Sequence, residues 1–212
     1  MNLFKRIISS IILLILLYFF IFIKSIYFIY FIFFCFIISL FEWFNLTKEI
    51  YFRIFGVIFL IFSFLSIFFL KTLDNSTNNF DLILLTLLIC ISSDIGGYIF
   101  GKILKGPKLT KISPNKTYGG VFGAFILTIS SLIFIEKYNI FPHLNNHFYK
   151  LVIISLLISA ASQLGDIIVS FFKRKANLKD TGSLIPGHGG LLDRIDGMIF
   201  AFPTSLILFK IF

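Results

Sequence analysis

Acidic side chains are scarce in this sequence. Its 212 residues hold only ten Asp and Glu against 19 Lys and Arg, with three His and two Cys. At 14% charged, the chain falls well short of the quarter expected of a soluble domain. A soluble core is thereby excluded. Cys35 and Cys90 both lie inside apolar runs, where a free thiol behaves as a small hydrophobe; this speaks against a disulfide framework or a cysteine metal knuckle. Basic residues confined to loops, with no interleaved stacking aromatics, speak against nucleic acid as a partner.

What is abundant is apolar. Hydrophobic residues make up 58% of the chain, 31 of them Phe, and the mean hydropathy is +0.99. The sequence predicts an all-α, polytopic integral membrane protein. A span needs about 20 apolar residues, and seven segments qualify or nearly so: 7–23, 25–41, 54–70, 80–100, 121–135, 149–168 and 195–212. The N-terminal segment has a basic start like a signal peptide, but no small-residue cleavage site follows, which favours an uncleaved span. With the N-terminus in the cytoplasm, 14 of the 19 basic residues fall on the inner side, the bias that sets orientation. Two Gly/Lys-rich loops, 101–120 and 169–194, then share the cytoplasmic face. We divide the chain into N-terminal spans, 1–79, and a C-terminal region, 80–212. The net charge of +9 follows in large part from this topology, and it also suits anionic headgroups or phosphates.

Four aspartates need explaining. Asp94 lies inside the fourth predicted span, Asp166 closes the sixth, and Asp193 and Asp196 open the seventh. An ionisable side chain at the centre of a span costs about 2.5–3.5 kcal/mol unless paired or bound, so each is a candidate functional residue. Asp193 and Asp196, three apart, share a helical face and offer oxygen ligands to one hard cation. They would equally cap the last helix and sit favourably in its first turn. Asp94 and Asp166 at similar depth tip the balance towards a metal.

The loop before them is rich in groups that bind phosphate. Lys173, Arg174 and Lys179 supply charge, Ser170, Thr181 and Ser183 hydroxyls, and Gly187, Gly189 and Gly190 a backbone that can approach an anion. Arg194 offers a planar fork for a phosphate. His188 either donates to a phosphate or occupies a turn. In the other loop Ser113, Lys116 and Thr117 precede a glycine pair and a new span, a weaker signal of the same kind.

From Ser170 to Asp196 the chain reads S-x-x-K-R-x4-K-D-x-G-x3-P-G-H-G-G-x-x-D-R-x-D, which resembles the signature of phosphatidate cytidylyltransferases. "SQLGD" at 162–166, "SPNKT" at 113–117, "SDIGGYIFGK" at 93–102 and "FEWFNL" at 41–46 are similar to further segments of these enzymes. The chain departs from residues common in the family at Val169 and Gly119. The resemblance implies transfer of the cytidylyl group of CTP to phosphatidate at a cytoplasm-facing site in the inner (plasma) membrane of a bacterium, and a homodimer. It implies Asp166, Asp193 and Asp196 as metal ligands, with Asp94 a fourth, and Lys173, Arg174, Lys179 and Arg194 on phosphates. Ser170, Asp180 and His188 would support substrate binding, with Ser113, Lys116 and Thr117 beside them. Four aspartates suit Mg2+ and leave room for a second, monovalent cation such as K+. Two rival readings are a CTP-dependent polyprenol kinase, which the full signature opposes, and an ion-coupled transporter, for which no internal repeat speaks.

Overall fold

The computed structural model describes residues 25–74, 80–110, 113, 116–142, 144, 148–184 and 189–211. Among them are seven helices: α1 (Ser25–Leu46), α2 (Ile50–Leu73), α3 (Asp81–Leu104), α4 (Tyr118–Lys137), α5 (Phe148–Lys175), α6 (Leu192–Ile195) and α7 (Met198–Ile211). No strand occurs among the described residues; Lys108 and Thr117 form an isolated antiparallel bridge. Helices α1 to α5 are long and apolar enough to cross a membrane. Uninterrupted apolar sequence explains this, because in hydrocarbon only a helix satisfies every backbone group within the segment.

Three expectations need correction. The predicted span 149–168 is part of a 28-residue helix running on to Lys175, so Ser170, Lys173 and Arg174 sit on α5 rather than in a loop. Charge ended the apolar run there, but it does not end a helix. The two loops are accordingly shorter, 105–117 and 176–191. The run 195–212 is not one span. A turn at Asp196 and Gly197 separates α6 from the 14-residue α7, which at 1.5 Å per residue reaches about 21 Å, short of the ~30 Å hydrocarbon core. The predicted span 7–23 lies outside the described residues.

The chain divides into two units, residues 1–65 with 172–196, and residues 66–171 with 197–212. In the first, aromatic rings mesh edge to face: Trp43 with Phe172 at 4.8 Å between centroids, Phe52 with Phe172 at 5.4 Å and Phe36 with Phe64 at 5.3 Å. Trp43 lies so close to Gly56 that a Cβ there would overlap the indole. Phe41 and Phe44 are exposed while Glu42 and Trp43 are buried, so one short segment of α1 divides between surface and interior.

The second unit has its core where Leu85, Ile89, Leu132, Ile154, Ile158 and Ala201 meet. There α3 and α4 approach through glycine. A Cβ on Gly120 would stand 2.8 Å from Gly97 O, and one on Gly96 would collide with Gly123 O. Small residues permit such backbone contact where no hydrophobic effect drives helices together. Buried hydroxyls tie the other helices to α3: Thr86 Oγ1 lies 2.7 Å from Ser205 Oγ, and Ser159 donates to Ser93 Oγ at 2.9 Å.

Candidate functional site

In the first unit the signature segment folds around Asp193. Its Oδ1 accepts from Lys173 Nζ at 2.7 Å. Its Oδ2 receives the Thr181 N–H at 2.7 Å, the Gly190 N–H at 3.0 Å and the Thr181 hydroxyl at 3.0 Å. The Asp193 side chain is 4% exposed and that of Lys173 12%. Burial alone would raise the Asp193 pKa. The hydrogen bond from Lys173, those from the Thr181 and Gly190 backbone and the Lys173 charge outweigh it and hold the carboxyl below its ordinary value.

Glycine is required where this loop turns. Gly189 has φ +88°, and a Cβ there would press on Asp193 Oδ2 at 2.7 Å. A Cβ on Gly190 would collide with Thr181 Oγ1 and Glu42 Oε2. Asp193 therefore does not cap the last helix. It sits in α6, ahead of the turn, and gathers loop donors instead.

The other signature residues of this unit stand further out. Arg174 donates to Leu178 O at 3.4 Å; Lys179, Asp180 and Arg194 are exposed and Asp196 is half-buried. His188 lies outside the described residues.

Glu42 is the residue that the sequence reading passed over. It is 4% exposed on α1, yet it meets the signature loop 139 residues away, accepting from the Thr181 hydroxyl at 2.8 Å. It also accepts the N–H groups of Leu191 and Leu192, each at 2.8 Å. The signal was present: the reasoning applied to four aspartates in apolar runs applies equally to a glutamate in "FEWFNL".

In the second unit Asp166 is the centre. Lys116 Nζ reaches its Oδ2 at 2.5 Å and the Gln163 carbonyl at 3.2 Å, and Ser170 Oγ lies 3.4 Å from its Oδ1. The loop carrying Lys116 is pinned by Leu109 N–H to Lys116 O at 2.8 Å and Tyr118 N–H to Pro107 O at 3.1 Å. Thr117 caps α4, its hydroxyl accepting from Gly120 N–H at 3.1 Å. Ser113 shapes the same loop, accepting Lys116 N–H on its carbonyl at 3.0 Å. Asp94 is exposed on α3.

The structure thus brings Lys173 to Asp193, and Lys116 and Ser170 to Asp166. Each lysine neutralises a carboxylate and keeps ammonium protons for further acceptors. Among the described residues no three His, Cys, Asp or Glu side chains form a group that could hold a metal ion. The donor chemistry still suits a hard divalent cation, since these aspartates offer carboxylate oxygen alone.

Residues 48–212 match the profile of the cytidylyltransferase family. The chain is similar to the phosphatidate cytidylyltransferase of Rickettsia bellii (strain RML369-C), 38% identical over 99% of this chain and 90% of that protein. The phosphatidate cytidylyltransferase of Rickettsia typhi (strain ATCC VR-144 / Wilmington) is 36% identical over 96% of this chain and 90% of its own. That of Staphylococcus epidermidis (strain ATCC 12228 / FDA PCI 1200) is 39% identical over 59% of this chain and 48% of its own.

Proposed function

The chain belongs to the cytidylyltransferase family, and from that premise we infer that it transfers the cytidylyl group of CTP to phosphatidate, giving CDP-diacylglycerol and pyrophosphate. The observation that carries this reading is the shielded Lys173–Asp193 pair within the signature segment, in a protein whose relatives are named for that reaction.

A phosphate oxygen of phosphatidate attacks the α-phosphorus of CTP. The new P–O bond forms as the bond to the bridging oxygen breaks, and that oxygen leaves with pyrophosphate. The nucleophile is already an anion at neutral pH, so no strong general base is required. The obstacle is repulsion between two polyanions. Lys173, Arg174, Lys179 and Arg194 are proposed to offset it and to stabilise charge on the leaving group; Lys116 is proposed separately as a phosphate contact. Ser170, Asp180, His188, Ser113 and Thr117 are proposed as supporting contacts.

Asp193 and Asp196, and separately Asp166 and Asp94, are each proposed as carboxylates that bind Mg2+ or a second, monovalent cation such as K+. A bound divalent cation would supply charge neutralisation at the phosphates. We place the C-terminal region 80–212 at the centre of catalysis. The basic bias supports an orientation with both Gly/Lys-rich loops facing the cytoplasm of a bacterial inner membrane. A homodimer is the proposed assembly.

The test is a transfer assay on detergent-purified full chain with labelled CTP, phosphatidate and Mg2+, scored by label entering the organic phase. Labelling that EDTA abolishes is the expected result. Folded protein that labels a polyprenol acceptor but not phosphatidate would overturn the reading.

A further inference from the structure

A carboxylate on a membrane helix needs compensation, and Glu42 receives it from the signature segment. Its Oε1 accepts Leu191 N–H, while its Oε2 accepts Leu192 N–H and the Thr181 hydroxyl, all at 2.8 Å. The two amides belong to the start of α6, a four-residue turn too short to persist by its own hydrogen bonds. Glu42 therefore supplies acceptors to donors that such a turn leaves unpaired.

Thr181 stands between two carboxylates. Its hydroxyl lies 2.8 Å from Glu42 Oε2 and 3.0 Å from Asp193 Oδ2, and one hydroxyl proton serves one acceptor at a time. When the proton turns to Glu42, Asp193 Oδ2 keeps a lone pair for another partner. Its backbone bonds to Thr181 and Gly190 meanwhile keep it in place.

We propose that Glu42 is a positioning residue for cytidylyl transfer: from within α1 it fixes the Thr181–Asp193 geometry and draws the Thr181 hydroxyl away from Asp193. The proposal rests on the reading of function above. It does not make Glu42 a catalytic residue, because Glu42 reaches the reaction only through Thr181 and α6.

Glutamine is not a conservative replacement here. Both oxygens of Glu42 are acceptors, so either orientation of an amide sets its NH2 against the N–H of Leu191 or of Leu192. The experiment compares Glu42→Gln, Glu42→Asp, Thr181→Val and Thr181→Ser in the full chain, each normalised to folded protein by size exclusion and thermal unfolding in detergent. Loss of an outer partner of this kind typically costs ~10–100-fold in activity or metal affinity. Glu42→Gln and Thr181→Val are expected to lower kcat by about tenfold or more and to raise the Mg2+ concentration for half-maximal rate to a similar degree. KM for CTP should stay within about threefold, and Glu42→Asp and Thr181→Ser should recover much of the loss.

Wild-type kcat in folded Glu42→Gln, or activity falling only with the folded fraction while the Mg2+ requirement is unchanged, would overturn the proposal. If Glu42→Gln does not fold, the Thr181 pair decides: equal rates for Val and Ser sink it. A wild type that transfers nothing to phosphatidate overturns the functional reading itself, an outcome distinct from an active wild type beside an unaffected Glu42→Gln.

Discussion

Lys173 Nζ stands 2.7 Å from Asp193 Oδ1, with the two side chains 12% and 4% exposed. Removing one partner of a shielded pair strands the other charge and costs about 3–5 kcal/mol. Lys173→Met is therefore expected to destabilise the protein by that order, and Lys173→Arg by much less. Chemical unfolding in detergent measures both, and a shift below about 1 kcal/mol for Met would show that the pair is solvated after all.

Lys116 and Asp166 are as close, at 2.5 Å, but their side chains are 23% and 33% exposed. Solvent screening limits such a pair to about 1 kcal/mol. Lys116→Met should accordingly leave stability almost unchanged while lowering the transfer rate by about tenfold or more, as expected for a lost phosphate contact. Equal rates for wild type and variant would remove Lys116 from the proposed chemistry.

The loop glycines separate by the space behind them. On Gly190 a methyl group would collide with Thr181 Oγ1 and Glu42 Oε2, whereas on Gly97 its nearest neighbour is Gly120 O at 3.8 Å. Gly190→Ala is expected to cost about 1–3 kcal/mol and most of the transfer activity. Gly97→Ala should stay within about 0.5 kcal/mol. Thermal unfolding and initial rates on the pair check the contrast.

Asp193 also predicts an acid limb. Its folded pKa lies below the ordinary value, chiefly because donors from Lys173, Thr181 and Gly190 outweigh the opposing effect of burial. Such a group contributes its full stabilisation above the unfolded carboxylate pKa, about 3.9, and loses it as pH falls through the lower folded value. Stability measured downwards from pH 5 should fall more steeply in wild type than in Asp193→Asn. Parallel curves would remove this contribution.

Hydropathy located α1 to α5 because a bilayer forces long apolar runs into helices, and the signature segment announced Lys173 and Asp193 as residue types. Helix ends were harder to read. The span expected at 149–168 carries on to Lys175 because backbone hydrogen bonds continue where lipid exposure stops. The turn at Asp196 and Gly197 interrupts a run that looks uniform by composition. Glu42 was missed for another reason: its partners lie 139, 149 and 150 residues away, and it precedes the segment 48–212 that matches the family profile. Thr181 was legible as a hydroxyl but not as the link between two carboxylates, since only folding sets Glu42 and Asp193 on either side of it.

The glycine seam between α3 and α4 governs how far Lys116 can travel. Two backbones in direct contact, as at Gly97 and Gly120, have no side chains between them to yield, so the pair moves as one stiff beam. The connection 105–117 is tethered to that beam at both ends and cinched by the bridge between Lys108 and Thr117. Lys116 thus works on a short leash: its ammonium group reaches Asp166 and the Gln163 carbonyl from a backbone held by Leu109 N–H and Ser113 O.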